Sequence, residues 1–435
     1  MLKSLPIAFA FILFSIAVVK AERSYKPSGE SVVFIHPDGA GLASWNIYRI
    51  AEFGPDGYSE WDLLPGMAVY RGHMKDHISA SSHGGATIHA YGVKVQRDSF
   101  GQDGKVKIKA ASGFDGTLMQ EAKAAGLKIG IINSGHMAEP GTAAMLASVD
   151  ARKMTQEIVA QLVRSGADLI LGGGEKLFLP KGVVGAHGEE GIREDGNNLV
   201  KEAEASGYTV IYTLEELKTL SIDSKKVLGI FAAKDTYNAK PEEDLKARGL
   251  PLYIEDAPTV ADMTEAALKW FSGQPTPFFL MVEEEGTDNF ANSMNASGMI
   301  EATRRADAAI GIARKYVAAI PELSLIVAAD SEASGPDIID FGVYSEDNEA
   351  AKTPVPATNS RGAAMDGATG TKTLPFISGP DRFGQRHVFA VTWVDGGDHF
   401  GGVLVRADGP IAKDLPANVD NTAIYKLIHD TILDD

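Results

Sequence analysis

The sequence predicts an α/β fold in which helices cover both faces of a central, mainly parallel sheet. Short apolar runs alternate with longer segments of helical periodicity, and several runs are apolar throughout, as strands buried on both faces are. Polar residues or glycines close most of these runs. The chain has 435 residues and is 44% hydrophobic, so it can bury a large core. We expect one domain over residues 22–435.

The predicted elements follow one another from residue 31 to residue 433. Strands are expected where short apolar runs end in turn residues or acids, at 31–35, 128–132, 168–171, 208–212, 227–231, 277–282, 324–329 and 403–406. Helices are expected where apolar residues recur three or four apart, at 117–125, 150–165, 241–248, 260–271, 299–319 and 421–433. Residues 52–75 are expected to be irregular. The weakly periodic stretch of about 335–395 predicts a loop-rich inserted subdomain.

The N-terminal segment has the composition of a cleaved secretory signal. A lysine precedes the apolar run 5–19, and the small residue Ala21 follows it. The run is shorter than the roughly 20 residues that span a membrane. We therefore expect residues 1–21 to be removed, leaving a periplasmic or secreted protein without stable membrane insertion.

Composition excludes several classes of function. The chain has no cysteine, which rules out disulfides, thiolate chemistry and cysteine-bound metals. Its formal net charge is −17, and an acidic surface repels nucleic acid. The same charge repels phosphate compounds at long range, so an anion site would need local positive charge from metal ions, arginine or helix ends.

The stretch from Ser81 to Lys94 contains the candidate nucleophile. A pair of serines is followed by small residues and a helix-compatible segment, which places Ser82 at a helix start. The first N–H groups of a helix lack partners and the helix dipole is positive there, so an alkoxide or a bound phosphate is stabilised. A serine at this position is also common without any catalytic role.

Polar residues follow the predicted strands at the edge where open parallel sheets bind ligands. Each acid alone is typical of a solvated loop, but several acids at one edge would repel one another unless a divalent cation neutralised them. The pattern therefore predicts a metal site. Its candidate residues are Asp38, Thr142, Glu283, Asp288, Asp330 and His399.

Taken in order, these motifs resemble those of the alkaline phosphatase family over most of the mature chain. The matching pieces, in chain order, are the predicted strand 31–35 with the following Asp38 and Gly39, then Ser82 with residues 86–87 and 92–94, residues 142–144, Arg152, residues 281–283, Asp288, residues 329–330 and His399. The resemblance implies small phosphate esters as substrates, Ser82 as the phosphorylated nucleophile and Arg152 as the group that holds two phosphate oxygens. It also implies that Asp38 bridges two metal ions, one of them usually magnesium and shared with a threonine and a glutamate.

Two of the ligands that the resemblance implies have alternatives. Counted without a gap, the family's threonine falls on Gly141, so Thr142 requires a shift of one residue and Glu139 becomes a candidate. Glu283 has the ungapped spacing to the following aspartate, whereas Glu285 precedes a glycine as the family's glutamate does.

The two positions that hold zinc in the family differ more. One of their histidines falls on Asn292 and another on Ser331, so two imidazoles are replaced by oxygen donors. Oxygen ligands suit Mg²⁺, Ca²⁺ or Mn²⁺, whereas nitrogen suits zinc. Mg²⁺ is therefore expected, with Zn²⁺, Ca²⁺ or Mn²⁺ as alternatives. Ser81 stands where the family has an aspartate paired with its arginine, which would leave Arg152 freer.

Three interpretations of the altered site stay open. The protein is an active phosphomonoesterase with harder cations, an active enzyme in which local groups replace the lost histidines, or a catalytically weak relative that binds phosphate compounds. The local groups are Glu332, His36, His83 and His136. A phosphodiesterase of the same superfamily is a further alternative, and a homodimer is one option for assembly.

Overall fold

The computed structural model describes residues 25–434, and the predicted segment 1–21 lies outside them. The strands are β1 Lys26–Pro27, β2 Ser31–Pro37, β3 Gly66–Arg71, β4 Lys128–His136, β5 Leu169–Gly173, β6 Tyr208–Ile211, β7 Lys226–Ile230, β8 Phe278–Glu284, β9 Leu323–Val327, β10 Glu332–Ala333, β11 Asp337–Val343, β12 Met365–Asp366, β13 Phe376–Ile377, β14 His387–Thr392, β15 Asp398–His399, β16 Leu404–Asp408, β17 Asn418–Asp420 and β18 Leu433–Asp434. The helices are α1 Leu42–Phe53, α2 Ser82–Tyr91, α3 Leu118–Ala125, α4 Pro140–Ala143, α5 Thr155–Arg164, α6 Leu199–Ala205, α7 Leu214–Lys218, α8 Glu242–Arg248, α9 Val260–Ser272, α10 Gly286–Asn292, α11 Ala296–Ala319 and α12 Thr422–Ile432.

Ten strands form one central sheet in the order β17-β3-β16-β9-β2-β8-β4-β5-β7-β6. Strand β16 is antiparallel to β3 and β9, and every other pair in this sheet is parallel. The eight predicted strands all lie in it. The predicted mainly parallel α/β sheet is therefore confirmed.

Helices pack on both faces of the sheet. Strand β2 shows why, because its side chains alternate between two hydrophobic clusters. Val32 and Phe34 belong to a cluster that includes residues of α2, α3, α5 and α12, whereas Val33 and Ile35 belong to a cluster that includes residues of α1, α9 and α11. Within residues 25–434, none of the helices has the length and apolar character needed to cross a membrane.

The structure adds elements that the sequence patterns did not predict. Residues 52–75, expected to be irregular, contain β3, and helix α1 precedes it. The stretch of about 335–395 contains a small sheet in which β14 pairs antiparallel with β11, β12 and β13. Strand β11 is partly exposed along its length, so it lacks the alternating apolar pattern that would have predicted it.

The parallel register brings the functional edge together. His36 of β2 lies opposite Glu283 of β8, and Asn133 of β4 lies on the other side of Glu283. Strand β9 flanks β2 and leads directly to Asp330. The carboxyl ends of four adjacent strands therefore supply one cluster of polar side chains.

Candidate active site

Ser82 is the first residue of α2 and is 5% exposed. Ser81, rather than Ser82, caps the helix: its Oγ accepts from the Gly84 N–H at 3.3 Å and donates to Arg97 O at 2.6 Å. The side chain of Ser82 lies beside Asp38, and this contact helps to lower the pKa of that carboxyl. A Cβ on Gly85 would lie 2.5 Å from Asp330 Cβ, so glycine allows the helix start to approach the acids closely. The predicted position of Ser82 at a helix start is confirmed.

Five predicted acids meet beneath Ser82 and are almost fully buried. They are Asp38, Glu283, Glu285, Asp288 and Asp330. Within the described chain, both oxygens of Asp38 and one oxygen each of Glu283, Glu285 and Asp330 have no hydrogen-bond partner. The ligand atoms of Asp38, Glu285 and Asp288 lie within 4.8 Å of one another, as do those of His36, Asp38 and Glu283.

The cluster cannot hold its full negative charge without a compensating cation. Burial, followed by the charges of neighbouring carboxylates, raises the pKa values of Glu285, Asp288 and Asp330 well above their ordinary range. Burial would also raise the pKa of Asp38, but the hydrogen bonding and charge of His36 outweigh it and lower that pKa. Converging carboxylate oxygens without partners fit divalent cations.

Thr142 lies beside Glu283. Its backbone N–H donates to Glu283 Oε2 at 2.7 Å, and its Oγ1 accepts from the Asn133 amide at 2.9 Å. A Cβ on Gly141 would lie 1.9 Å from Glu283 Oε1, so only a glycine fits there. Gly141 and Thr142 therefore both lie against Glu283, and Thr142 is the one of the two that has a side-chain oxygen. Sequence reasoning missed Asn133, which follows the apolar part of β4.

Glu139 holds the predicted phosphate-binding arginine. Arg152 Nη2 donates to Glu139 Oε2 at 2.9 Å. Burial disfavours the charge of Arg152, but the charges of Glu139 and Glu285 outweigh this and raise its pKa. The expectation that Ser81 leaves this arginine freer is wrong, because Glu139 pairs with it.

A second group of possible ligands adjoins Glu139. His136 Nε2 lies 3.1 Å from Glu139 Oε1, and the backbone N–H of His136 donates to Asp235 Oδ1 at 2.9 Å. The ligand atoms of these three residues lie within 4.8 Å of one another. Sequence reasoning missed Asp235, which lies beyond the end of β7.

Asn292 acts as a donor in this structure. Its Nδ2 donates to both oxygens of Asp288 at 2.9 Å and to Asp398 Oδ1 at 3.1 Å, while its Oδ1 accepts from Ser334 Oγ at 3.1 Å. The amide therefore bridges two acids, and its oxygen is already bonded.

Asp398, which sequence reasoning missed, takes the place expected for His399. Burial, followed by the charge of Asp38, raises the pKa of Asp398. His399 Nε2 instead lies 3.0 Å from Asp395 Oδ1, on a part-exposed side chain. Successive residues of a strand point to opposite faces, so in β15 one of the two faces the acids. The structure does not bring the His399 ring to the cluster.

The remaining candidates have separate partners. Ser331 Oγ donates to Asp330 Oδ1 at 3.2 Å. Glu332 accepts the N–H groups of Ala43 at 3.1 Å and Gly402 at 3.3 Å, so its carboxylate stabilises the start of α1 and does not join the cluster. His83 Nε2 lies 3.7 Å from Oδ1 of the exposed Asp98. Burial, followed by the charge of Arg152, lowers the pKa of His83 to about 4.

Comparisons with known proteins agree with this geometry. A protein-family model described as alkaline phosphatase matches residues 30–431. Alkaline phosphatase H of Pseudomonas aeruginosa is 26% identical over 345 residues, covering 70% of each chain. Alkaline phosphatase of Escherichia coli is 26% identical over 353 residues, covering 72% of each chain.

Solved structures share the fold. Alkaline phosphatase from the Antarctic bacterium TAB5 matches with a TM-score of 0.68 and 18% identity, over 93% of this chain and 98% of that chain. A cold-active alkaline phosphatase from the psychrophile Shewanella sp. matches with a TM-score of 0.68 and 23% identity, over 92% of this chain and 99% of that chain. The family match spans most of the chain, and the structural likeness supports the same fold. The chain belongs to the alkaline phosphatase family and is a phosphatase.

Proposed function

We propose that the protein is an exported, metal-dependent phosphomonoester hydrolase that acts through a phosphoserine at Ser82. One observation carries the proposal: a buried serine at the start of α2 lies beside Asp38, whose two oxygens have no hydrogen-bond partner in the described chain. A helix start favours both an alkoxide and a phosphoryl group. Family membership supplies the substrate class, small phosphate esters.

The chain's own groups suggest an in-line transfer in two steps. Ser82 Oγ forms a bond to phosphorus while the bond to the leaving alcohol breaks on the opposite side. A water molecule then displaces Ser82 from the phosphoserine, which releases phosphate and regenerates the hydroxyl. In both steps, the Arg152 fork and the first N–H groups of α2 hold the equatorial oxygens.

Divalent cations would be held by Asp38 with Glu283 and Thr142, and by the acids Glu285, Asp288 and Asp330. When bound, they would lower the pKa of the attacking hydroxyl and stabilise negative charge on the leaving oxygen. The oxygen-rich donor set favours Mg²⁺ and admits Mn²⁺, Ca²⁺ or Zn²⁺. A variant of the TAB5 enzyme was solved with Mg bound.

The test is turnover of p-nitrophenyl phosphate by the mature protein, followed by acid quenching and peptide mass analysis. We expect a phosphoryl group on Ser82 in the wild type and none in Ser82→Ala, together with loss of turnover. Ser44→Ala is the matched control, because Ser44 is a buried helical serine in α1, outside the acid cluster. Full turnover by Ser82→Ala would refute the nucleophile.

Metal dependence and substrate type are tested separately. Chelation should abolish turnover, and separate addition of Mg²⁺, Mn²⁺, Ca²⁺ and Zn²⁺ should show which cation restores it. A phosphodiesterase would instead hydrolyse bis-p-nitrophenyl phosphate faster than the monoester. The bonded Asn292 oxygen favours a second candidate, a weak enzyme that binds phosphate compounds; saturable phosphate binding without turnover under any cation would establish it.

A further inference from the structure

His36 is a fully buried histidine at the end of β2, next to the acid cluster. Its Nδ1 lies 2.7 Å from Ala328 O, and a carbonyl oxygen can only accept, so Nδ1 carries the ring proton. The other nitrogen, Nε2, lies 3.4 Å from Asp38 Oδ1 and has no hydrogen-bond partner in residues 25–434. Without a second proton on the ring, Nε2 would direct a free lone pair at a carboxylate.

Two arrangements would remove the repulsion between this lone pair and Asp38. One is a second proton on the ring, and the other is a cation that both groups bind. A charge-assisted N–H···O bond has a typical length of about 2.7–2.9 Å, so 3.4 Å is long for it. Two ligands about 2.1 Å from a tetrahedral ion lie about 3.4 Å apart, which agrees with the observed separation.

The neighbouring oxygens also favour a cation. Both oxygens of Asp38 and Glu283 Oε1 are buried and without a partner among the described residues, and one added proton could satisfy only one of them. The ligand atoms of His36, Asp38 and Glu283 lie within 4.8 Å of one another. A single ion among them would satisfy all three residues.

We propose that His36 Nε2 is a nitrogen ligand of the divalent cation that Asp38 and Glu283 hold. The inference rests on the metal dependence of the proposed function. The Ala328 carbonyl orients the ring from the other side, as hydrogen bonds to metal-binding histidines commonly do. An imidazole supplied by β2 would offset part of the nitrogen ligation lost at Asn292 and Ser331. It would allow Zn²⁺ or Mn²⁺ at this position, whereas Asp38, Glu285 and Asp288 offer oxygen alone.

The experiment is pulsed electron paramagnetic resonance of the mature protein loaded with one equivalent of Mn²⁺, because this method detects a coordinated imidazole nitrogen. We expect nitrogen modulation in the wild type, its loss in His36→Gln, and Mn²⁺ affinity lowered by roughly 10-fold or more. His89→Gln is the matched control, since His89 is equally buried, its ring centroid is 5.7 Å from that of His36, and it is hydrogen-bonded to Tyr70. A background carrying both His136→Gln and His399→Gln removes the imidazole of the second ligand group and the imidazole expected from the sequence.

Unchanged nitrogen modulation and Mn²⁺ affinity in His36→Gln would overturn the inference and leave His36 as the charged partner of Asp38. If His36→Gln does not fold, Cd²⁺ titration of wild-type protein labelled at histidine nitrogen replaces it. One imidazole should then gain a metal coupling at Nε2 while keeping its Nδ1 proton, and absence of such a ring would refute the inference.

Turnover measured on the same samples separates this inference from the proposed function. Nitrogen coordination without hydrolysis would leave the inference standing and remove the proposed function. Hydrolysis together with unchanged nitrogen modulation and Mn²⁺ affinity in His36→Gln would leave the proposed function standing and remove the inference.

Discussion

Glu283 and Glu284 are adjacent buried glutamates on β8, and we expect metal to change the effect of replacing Glu283 but not the effect of replacing Glu284. Glu284 Oε1 accepts from Ser134 Oγ at 2.8 Å and Tyr253 OH at 2.9 Å, away from the acid cluster. Burial raises the pKa of Glu284 from its ordinary 4.5 to about 7. Glu284→Gln keeps a carbonyl oxygen for these donors and removes the ionisable group.

The pH dependence follows from the direction of that shift. The folded state keeps a proton on Glu284 that the unfolded chain has lost, so this group lowers stability as pH rises from about 4.5 to about 7. With these two pKa values, the free energy of unfolding of Glu284→Gln should exceed that of the wild type by roughly 1 kcal/mol at pH 5.5 and roughly 3 kcal/mol at pH 8.

The assay is urea unfolding of both glutamine variants between pH 5.5 and pH 8, with a chelator and then with Mg²⁺. Glu284→Gln should stay more stable than the wild type in both conditions. Glu283→Gln should be more stable only with the chelator, because a cation at 100 times its dissociation constant stabilises the wild type by about 2.7 kcal/mol. Equal stability of Glu284→Gln and wild type at pH 8 would refute the reasoning, as would a Glu283→Gln advantage that Mg²⁺ does not remove.

Three further substitutions test other parts of the structure. Burial, and next the charge of Asp366, raises the pKa of Glu242 to about 8. In urea unfolding, the stability of Glu242→Gln relative to the wild type should therefore increase as pH rises from about 4.5 to about 8, by up to roughly 5 kcal/mol. A difference in stability that does not change with pH would contradict this. Ser81→Ala removes the cap of α2 and should cost about 1 kcal/mol in thermal unfolding, with no loss if the cap is dispensable. Glu332→Gln should lower the free energy of unfolding by about 1–3 kcal/mol, because it weakens two hydrogen bonds from backbone N–H groups. The Mg²⁺ affinity measured by calorimetry should stay unchanged, and a large loss of affinity would instead make Glu332 a ligand.

The fold could be predicted where strands are buried on both faces, because such strands are short, fully apolar runs. Strand β3 was not predicted because its exposed positions Met67 and Val69 are hydrophobic, as are its buried positions Ala68 and Tyr70. Hydrophobic side chains therefore lie on both faces, and the sequence does not alternate between apolar and polar residues. Helix α1 lacks a side-chain cap of its own. Glu332, almost 290 positions away, supplies the missing acceptor, and no local pattern could reveal that.

The site could be predicted to the extent that adjacent parallel strands set it. Asp38 and Asp330 follow neighbouring strands, so their proximity follows from the sheet. Which of Asp398 and His399 faces the acids depends on the side of β15 that meets α10, and a sequence pattern does not contain that information. Asp235 belongs to a loop after β7, and its approach to His136 depends on tertiary packing.

The acidity of the chain and its anionic substrates are compatible only if the site is neutralised locally. Arg152 already faces Glu139, so its charge is partly compensated before any phosphate binds. The start of α2 contributes a partial positive charge of about half a unit. Against these stand five buried acids, and the raised pKa values of Glu285, Asp288 and Asp330 show that full ionisation of the cluster without cations is costly. Divalent cations held by the acids would therefore serve two purposes, stabilising the folded site at alkaline pH and making it attractive to a phosphate ester.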